Sequence, residues 1–181
     1  GLCHALVGLG HEVHVYTTNV DGDGVSDVSL GKAIDLDGVK VWYFSVSWLR
    51  RLYHAPALAQ TLNGHINEFD IVHLHSVFLW PTWFAAKASQ CADVPYVLSP
   101  RGMLETGLIK RKSTWLKRAW IQLIERRNLA GAAAIHVTSQ REREELSVIG
   151  LDLAPIIDVP NGVGLPMDTN TSQLTALNDI P

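Results

Sequence analysis

Two hydrophobic rhythms alternate along the chain, and the points where they switch divide it into short elements. Glu12 to Thr17 sets Val13 and Val15 between polar partners, a period of two that predicts a strand. Val39 to Phe44 follows an Asp37-Gly38 turn and predicts a second strand. Asn19 to Asp27, with three Asp and two Gly, reads as a loop, and Trp48 to Tyr53 as a loop or short turn. The period then widens: Leu58, Leu62, Ile66 and Phe69 recur at three and four residues, so Pro56 to Phe69 predicts a helix. Ile71 to His75 and Pro95 to Ser99 are short apolar strands, with a helix over Thr82 to Cys91 between them. Ser113 is a candidate N-cap for a long helix to Leu129, whose stripe is Leu116, Trp120, Leu123 and Ile124. Ala133 to Thr138 predicts a strand. Ser139 caps a helix to Ile149, with Glu142 at the capping-box spacing and Gly150 as the stop. Pro155 to Val159 is the last strand; Asn161-Gly162 turns the chain, and Asp168 to Pro181 is polar and weakly patterned.

Strands alternating with helices predict an α/β fold, a Rossmann-like, doubly wound parallel sheet. Ile71–His75 and Tyr96–Ser99, apolar on both faces, are expected at its centre. Gly1 to Gly10 reads as the end of a helix, with Leu2, Leu6 and Leu9 on one side. A strand is expected before such a helix, so the sheet should expose an apolar groove where that strand belongs.

Composition narrows the partners. Of 181 residues, 47% are hydrophobic and 18% charged, enough apolar surface for a buried core. A net charge of −3 argues against nucleic acid. The positive charge is local: Lys110, Arg111, Lys112, Lys117, Arg118, Arg126 and Arg127 cluster around Trp115 and Trp120. That run suits a solvated helix face or an anionic membrane surface. Cys3 and Cys91 are too few for a disulfide framework, which fits a reducing cytosol. No apolar run is long enough to span a bilayer.

In an open α/β sheet, ligands bind beyond the carboxyl ends of the strands. His75, Ser76, Arg101 and Gly102 occupy those ends and are the candidate binding residues. His73 and His75 share a strand face, but without a convincing third ligand no metal is expected. His73 itself reads as a core histidine bonded to the backbone. A neutral imidazole at His75 can exchange hydrogen bonds with a sugar hydroxyl or phosphate. Arg101 follows Ser99-Pro100, and a fixed guanidinium beside the Gly102 backbone suits phosphate or carboxylate. The plain alternative is a surface arginine on a tight turn, with Glu105 pairing to Arg101 or Lys110. Trp80-Pro81-Thr82-Trp83 is expected to cap a helix and pack it on the sheet; an exposed Trp stacking on a sugar face is the lesser alternative. No dinucleotide fingerprint, P-loop, nucleophile elbow or zinc signature is present.

Five segments, in order, carry a resemblance. They are Gly10-His11-Glu12-Val13-His14-Val15-Tyr16-Thr17-Thr18, Asp70-Ile71-Val72-His73-Leu74-His75, Ser99-Pro100-Arg101-Gly102-Met103-Leu104, Ala134-Ile135-His136-Val137-Thr138-Ser139 and Val159-Pro160-Asn161-Gly162-Val163. Together the chain resembles the acceptor-side, N-terminal domain of the retaining group 1 (family 4-like) glycosyltransferases. The resemblance implies one half of a GT-B fold with its first strand missing. Residues 1–166 would form the domain and 167–181 a polar tail, with the donor domain absent and Asn161-Gly162 as the domain link. It implies a nucleotide-sugar donor held by that other domain, no metal or other cofactor, and a glycan or lipid-linked acceptor beside His75, Ser76, Arg101 and Gly102. Many relatives carry a histidine where Arg101 aligns; an arginine stays protonated, so it can bind but cannot act as a base. The expected role is cell-surface polysaccharide or glycolipid synthesis in the cytoplasm, with contact at the inner membrane face. A non-catalytic sugar-binding remnant and half of a nucleotide-sugar epimerase remain alternatives.

Overall fold

The computed structural model describes residues 1–104, 115 and 119–162. Helix α1 (Leu2–Gly8) leads into β1 (Val13–Thr18). The expected loop holds a small hairpin, β2 (Val20–Asp21) and β3 (Gly24–Val25). Next come β4 (Ala33–Leu36) and β5 (Val39–Phe44), then α2 (Pro56–His65), which a 3₁₀ turn at Ile66–Glu68 extends. The second half runs β6 (Val72–His75), α3 (Trp80–Ala92), β7 (Tyr96–Ser99), α4 (Arg126–Ala130), β8 (Ala134–Val137), α5 (Gln140–Ser147) and β9 (Ile156–Asp158).

The larger sheet is parallel throughout, in the order β6-β7-β8-β9. Its inner strands are apolar on both faces because helices cover them. Tyr96, Leu98, Ile135 and Val137 are buried, packed with Ala85 and Ala86 of α3, Leu129 of α4 and Leu146 of α5. The smaller sheet has the order β1-β5-β4, with β1 and β5 parallel from Val13↔Val39 to Thr18↔Phe44. Strand β4, absent from the sequence expectation, pairs antiparallel with β5 through Asp37-Gly38. Both turn residues have positive φ, 53° and 83°, the sign pattern of a two-residue hairpin turn. The Asp35 carboxylate accepts from the Gly38 N–H at 2.9 Å and fixes the turn.

Strands β1 and β6 do not pair with each other. A groove of about 470 Å³ runs between them, lined by His14 to Thr18 on one wall and Ile71 to His75 on the other. The apolar groove expected from the sequence is therefore present. Its presence corrects the placing of Ile71–His75 at the sheet's centre. Tyr96–Ser99 is interior, but β6 ends its sheet because nothing among the described residues pairs with its second edge.

The Ser113–Leu129 helix is also corrected where it is described. Ile121–Glu125 forms a π-helical turn before α4. The wider turn rotates the face presented to the core. Ile121, Glu125, Asn128 and Leu129 are buried, whereas Leu123, assigned to the apolar stripe, is 73% exposed. Ser113, Leu116, Glu105 and the cations Lys110, Arg111, Lys112, Lys117 and Arg118 lie outside the described residues, as does the 167–181 tail. The segment expected to cap α3 is instead its first turn, and Leu79 is the N-cap. Proline occupies the first turn, where a missing N–H costs little, and Trp80 stacks on Phe84 with ring centroids 5.3 Å apart.

Candidate functional site at the carboxyl edge of the sheet

β6 and β7 lie side by side with His75 opposite Ser99, so their exit loops meet at one edge. Both loops leave their strands through unusual backbone. After β6, Ser76 and Phe78 have φ of 71° and 61°; after β7, Arg101 and Gly102 have φ of 55° and 72°. The Met103 N–H donates to the Pro100 carbonyl at 3.2 Å and closes a tight turn with Arg101 and Gly102 at its centre. Left-handed backbone costs a non-glycine residue about 1–2 kcal/mol, so something must hold these loops.

A glutamate holds each. Glu125, fully buried, accepts from the Phe78 N–H at 2.8 Å, the Trp120 indole at 2.8 Å and the Asn128 amide at 3.3 Å. Burial pushes its carboxyl above the usual carboxylate range, against the three hydrogen bonds that lower it. Glu142 accepts from the Gly102 N–H at 2.7 Å and from the Thr138 N–H and hydroxyl at 2.9 and 3.2 Å. Ser139 caps α5 as expected, its hydroxyl accepting from the Glu142 N–H at 3.3 Å. The carboxylate of Glu142 does not return to the Ser139 N–H as a full capping box would. It turns to the β7 exit instead. The Gly102 amide, expected to face a ligand, is therefore already engaged.

The Arg101 side chain joins three elements. Its Nη2 donates to His75 Nδ1 at 3.2 Å and its Nη1 to Asn161 Oδ1 at 2.6 Å. A guanidinium can only donate, so His75 Nδ1 accepts and the neutral ring carries its proton on Nε2. Among the described residues no carboxylate pairs with Arg101, and three of its five N–H donors remain. His75 is exposed at this edge, and the carbonyl of the same residue accepts from the buried Thr82 hydroxyl at 3.2 Å. Its pKa is lowered by burial of the ring, then by the Arg101 charge and by His136. At neutral pH it is a hydrogen-bond donor through Nε2, not a base.

The histidines continue inward. The His73 ring lies 4.3 Å from that of His75 and 5.4 Å from that of His136. His136 Nε2 meets the Val159 carbonyl at 2.8 Å; a carbonyl only accepts, so that nitrogen carries the proton. His136 Nδ1 then accepts from His73 Nε2 at 3.4 Å. The backbone contact expected of His73 thus belongs to His136, a residue the sequence reading did not single out. Burial and the neighbouring His75, His136 and Arg101 lower the pKa of His73 to about 4. Among the described residues no group of three or more His, Cys, Asp or Glu is placed to hold a metal ion.

The four residues singled out in the sequence do meet at this edge. His75 and Arg101 touch, Ser76 follows His75 in the same exit loop, and Gly102 completes the turn that carries Arg101. Asn161, expected only as a link residue, is Arg101's second partner.

A parallel Rossmann-like half-sheet with strained, braced loops and convergent donors at its carboxyl edge has its candidate site where open α/β sheets generally bind ligands. The profile of the glycosyl transferase 4-like domain matches residues 1–162, and the chain belongs to that family. No curated protein matches its sequence. Among solved structures it is similar to the sucrose-phosphate synthase of Thermosynechococcus elongatus, at 15% identity and a TM-score of 0.66. That alignment covers 99% of this chain and 45% of the synthase. A shorter structure of that synthase aligns at 15% identity and a TM-score of 0.60, covering 98% of this chain and 87% of the other. The shared fold is one half of GT-B. No helix among the described residues is long and apolar enough to cross a membrane.

Proposed function

We propose that this chain is the acceptor-side half of a retaining, nucleotide-sugar-dependent glycosyltransferase that extends a cell-surface polysaccharide or glycolipid intermediate. The family match supports the class, and the contact of His75 with Arg101 at one sheet edge supports the site. Residues 1–162, which the family profile matches, supply the acceptor side, and a second domain, joined through the Asn161-Gly162 link, holds the donor. His75 offers its Nε2–H to an acceptor oxygen, while the N–H groups of Arg101 that no described residue accepts hold an oxygen or an anionic group of the same acceptor. Ser76 and Gly102 set the loops that shape this edge. The bond from the sugar's anomeric carbon to the diphosphate breaks, and a bond to the acceptor hydroxyl forms on the same face. In net terms the nucleoside diphosphate leaves with the acceptor's proton. Neither His75 nor Arg101 takes that proton at neutral pH, and no metal is needed for the residues on this side. The reaction is placed in the cytoplasm, at the inner face of the membrane where a lipid-linked acceptor would lie.

The test is Arg101→Ala in the transferase with its donor domain present. A charge-assisted hydrogen bond is worth about 1.5–3 kcal/mol. At 1.36 kcal/mol per tenfold, kcat/KM should fall roughly tenfold to a hundredfold, with the unfolding midpoint unchanged. Kinetics equal to the parent's in a folded variant would reduce Arg101 to a turn residue. Glycan binding without transfer from any nucleotide sugar would favour the non-catalytic alternative.

A further inference from the structure

Glu142 lines a cavity of about 310 Å³ together with Arg101 and Gly102. Its carboxylate spans two elements: one oxygen holds the Gly102 N–H at 2.7 Å, the other the Thr138 N–H at 2.9 Å. Gly102 and Arg101 are the two left-handed residues of one turn. A turn with a strained non-glycine residue opens unless its amides are held. The Arg101 guanidinium reaches His75 and Asn161 only from that turn.

We propose that Glu142 is a positioning residue of the acceptor site: by holding the Gly102 amide it places the Arg101 guanidinium, which in turn fixes His75 as an Nε2–H donor. The chain of contacts runs from α5 through the β7 exit to β6. It gives a glutamate at the capping-box position, whose carboxylate would be expected to return to the Ser139 N–H, a duty toward the ligand instead. The proposal rests on the reading of Arg101 and His75 as acceptor-binding groups for its meaning, and its test reads His75 directly, without transfer activity.

The groups that face His75 among the described residues are His73 on its own strand, Arg101 from the β7 exit and His136 from β8. All are cationic or can become so, and the Arg101 contact alone dictates the tautomer at Nδ1. Nitrogen-15 NMR of the His75 ring across a pH titration therefore reports whether Arg101 is in place. Glu142→Asp is the informative variant, because the backbone N–H at 142 still meets the Ser139 cap and an acid stays in the first turn of α5, while its shorter side chain cannot span to Gly102. In this variant His75 should lose its single Nε2–H tautomer, and its titration midpoint should rise toward the ordinary histidine value. Arg101→Ala should give the same signature, and the double variant should add nothing to it. Ser139→Ala, which removes the cap and leaves the Gly102 contact, should lower stability with His75 unchanged. A Glu142→Asp protein whose His75 keeps the parent's tautomer and midpoint would overturn the proposal. So would a Ser139→Ala protein that shifts His75 as far as Glu142→Asp does, since the effect would then be helix fraying. A failure of transfer with the NMR signature intact would count against the acceptor reading, not against the positioning role.

Discussion

Replacing Glu125 separates the worth of a buried charge from the worth of its acceptor oxygens. Both the Phe78 N–H and the Trp120 indole donate to the same carboxylate oxygen, at 2.8 Å each, while only the longer Asn128 contact uses the other. Glu125→Gln keeps one oxygen for the two short bonds, and a flip of the Asn128 amide can serve the new NH₂. Glu125→Ala removes the acceptor from both half-buried donors. Leaving a fully buried donor unsatisfied costs about 1–3 kcal/mol and a half-buried one less, so the two together should cost about 1–3 kcal/mol. A domain of ordinary stability, about 5–15 kcal/mol, would lose a measurable part of its margin. The glutamine variant should stay within about 1 kcal/mol of the parent, because it also removes the penalty of burying a charge.

The pH dependence has a definite sign. The folded carboxyl titrates above its unfolded value of 4.5, so between those two values the native state binds more protons than the unfolded chain. The stability contributed by Glu125 is greatest below 4.5 and falls as pH rises through the raised folded value. Urea unfolding followed by tryptophan fluorescence, at several pH values, measures both effects. The parent-minus-Gln difference should decline with rising pH and then level off. An alanine variant within 0.5 kcal/mol of the parent (about the spread of neutral surface changes), or a parent-minus-Gln difference flat across that window, would refute the reasoning.

Two further outcomes concern charge. His73, with its pKa near 4, should stay neutral at physiological pH, and its ring signals should show no titration step between about pH 6 and 8. Its folded value lies below the unfolded 6.5, so it stabilises the fold above pH 6.5 and that contribution is lost as pH falls toward 4; His73→Asn should flatten this acid limb in denaturant titrations. The second concerns membranes. Trp115 and Leu123 are 72% and 73% exposed, and Arg126 and Arg127 are exposed beside them. Each nearby cation adds about 1 kcal/mol on anionic lipid, so sedimentation with anionic vesicles should reveal weak binding that salt abolishes. Equal binding to neutral vesicles would dismiss an electrostatic contact.

The parallel strands were legible because their rhythm is local: each apolar run and its polar exit stand within a few residues. The meeting of His75 with Arg101 was legible too, since adjacent strand ends in a parallel sheet share one edge. What escaped was set by long-range packing. Strand β4 is only four residues long, and its Ile34 and Leu36 alternation gains meaning only beside β5. The π-turn that exposes Leu123 and buries Glu125 breaks the 3.6-residue period on which the stripe was drawn. Glu142 matched a local motif, and that match concealed a partner 40 positions away at Gly102. His136 looked like one polar residue in an apolar strand; its pairing with His73 depends on β7 standing between their strands.

The groove between β1 and β6 leaves a signature in time. Backbone N–H groups along a strand point alternately to either side. Val72 and Ser76 donate toward β7, so the amides of His73 and His75 face the groove. Asn19 donates to Phe44 of β5, which turns the amides of His14, Tyr16 and Thr18 to the opposite wall. In deuterium exchange these strands should show alternating fast and slow amides, while β7 and β8, paired on both edges, are slow throughout. Any extended segment that settles in the groove would silence the fast set on both walls at once. The exchange pattern thus becomes a site-by-site gauge of its occupancy; uniform protection along β1 and β6 in the isolated chain would mean that the groove is already filled.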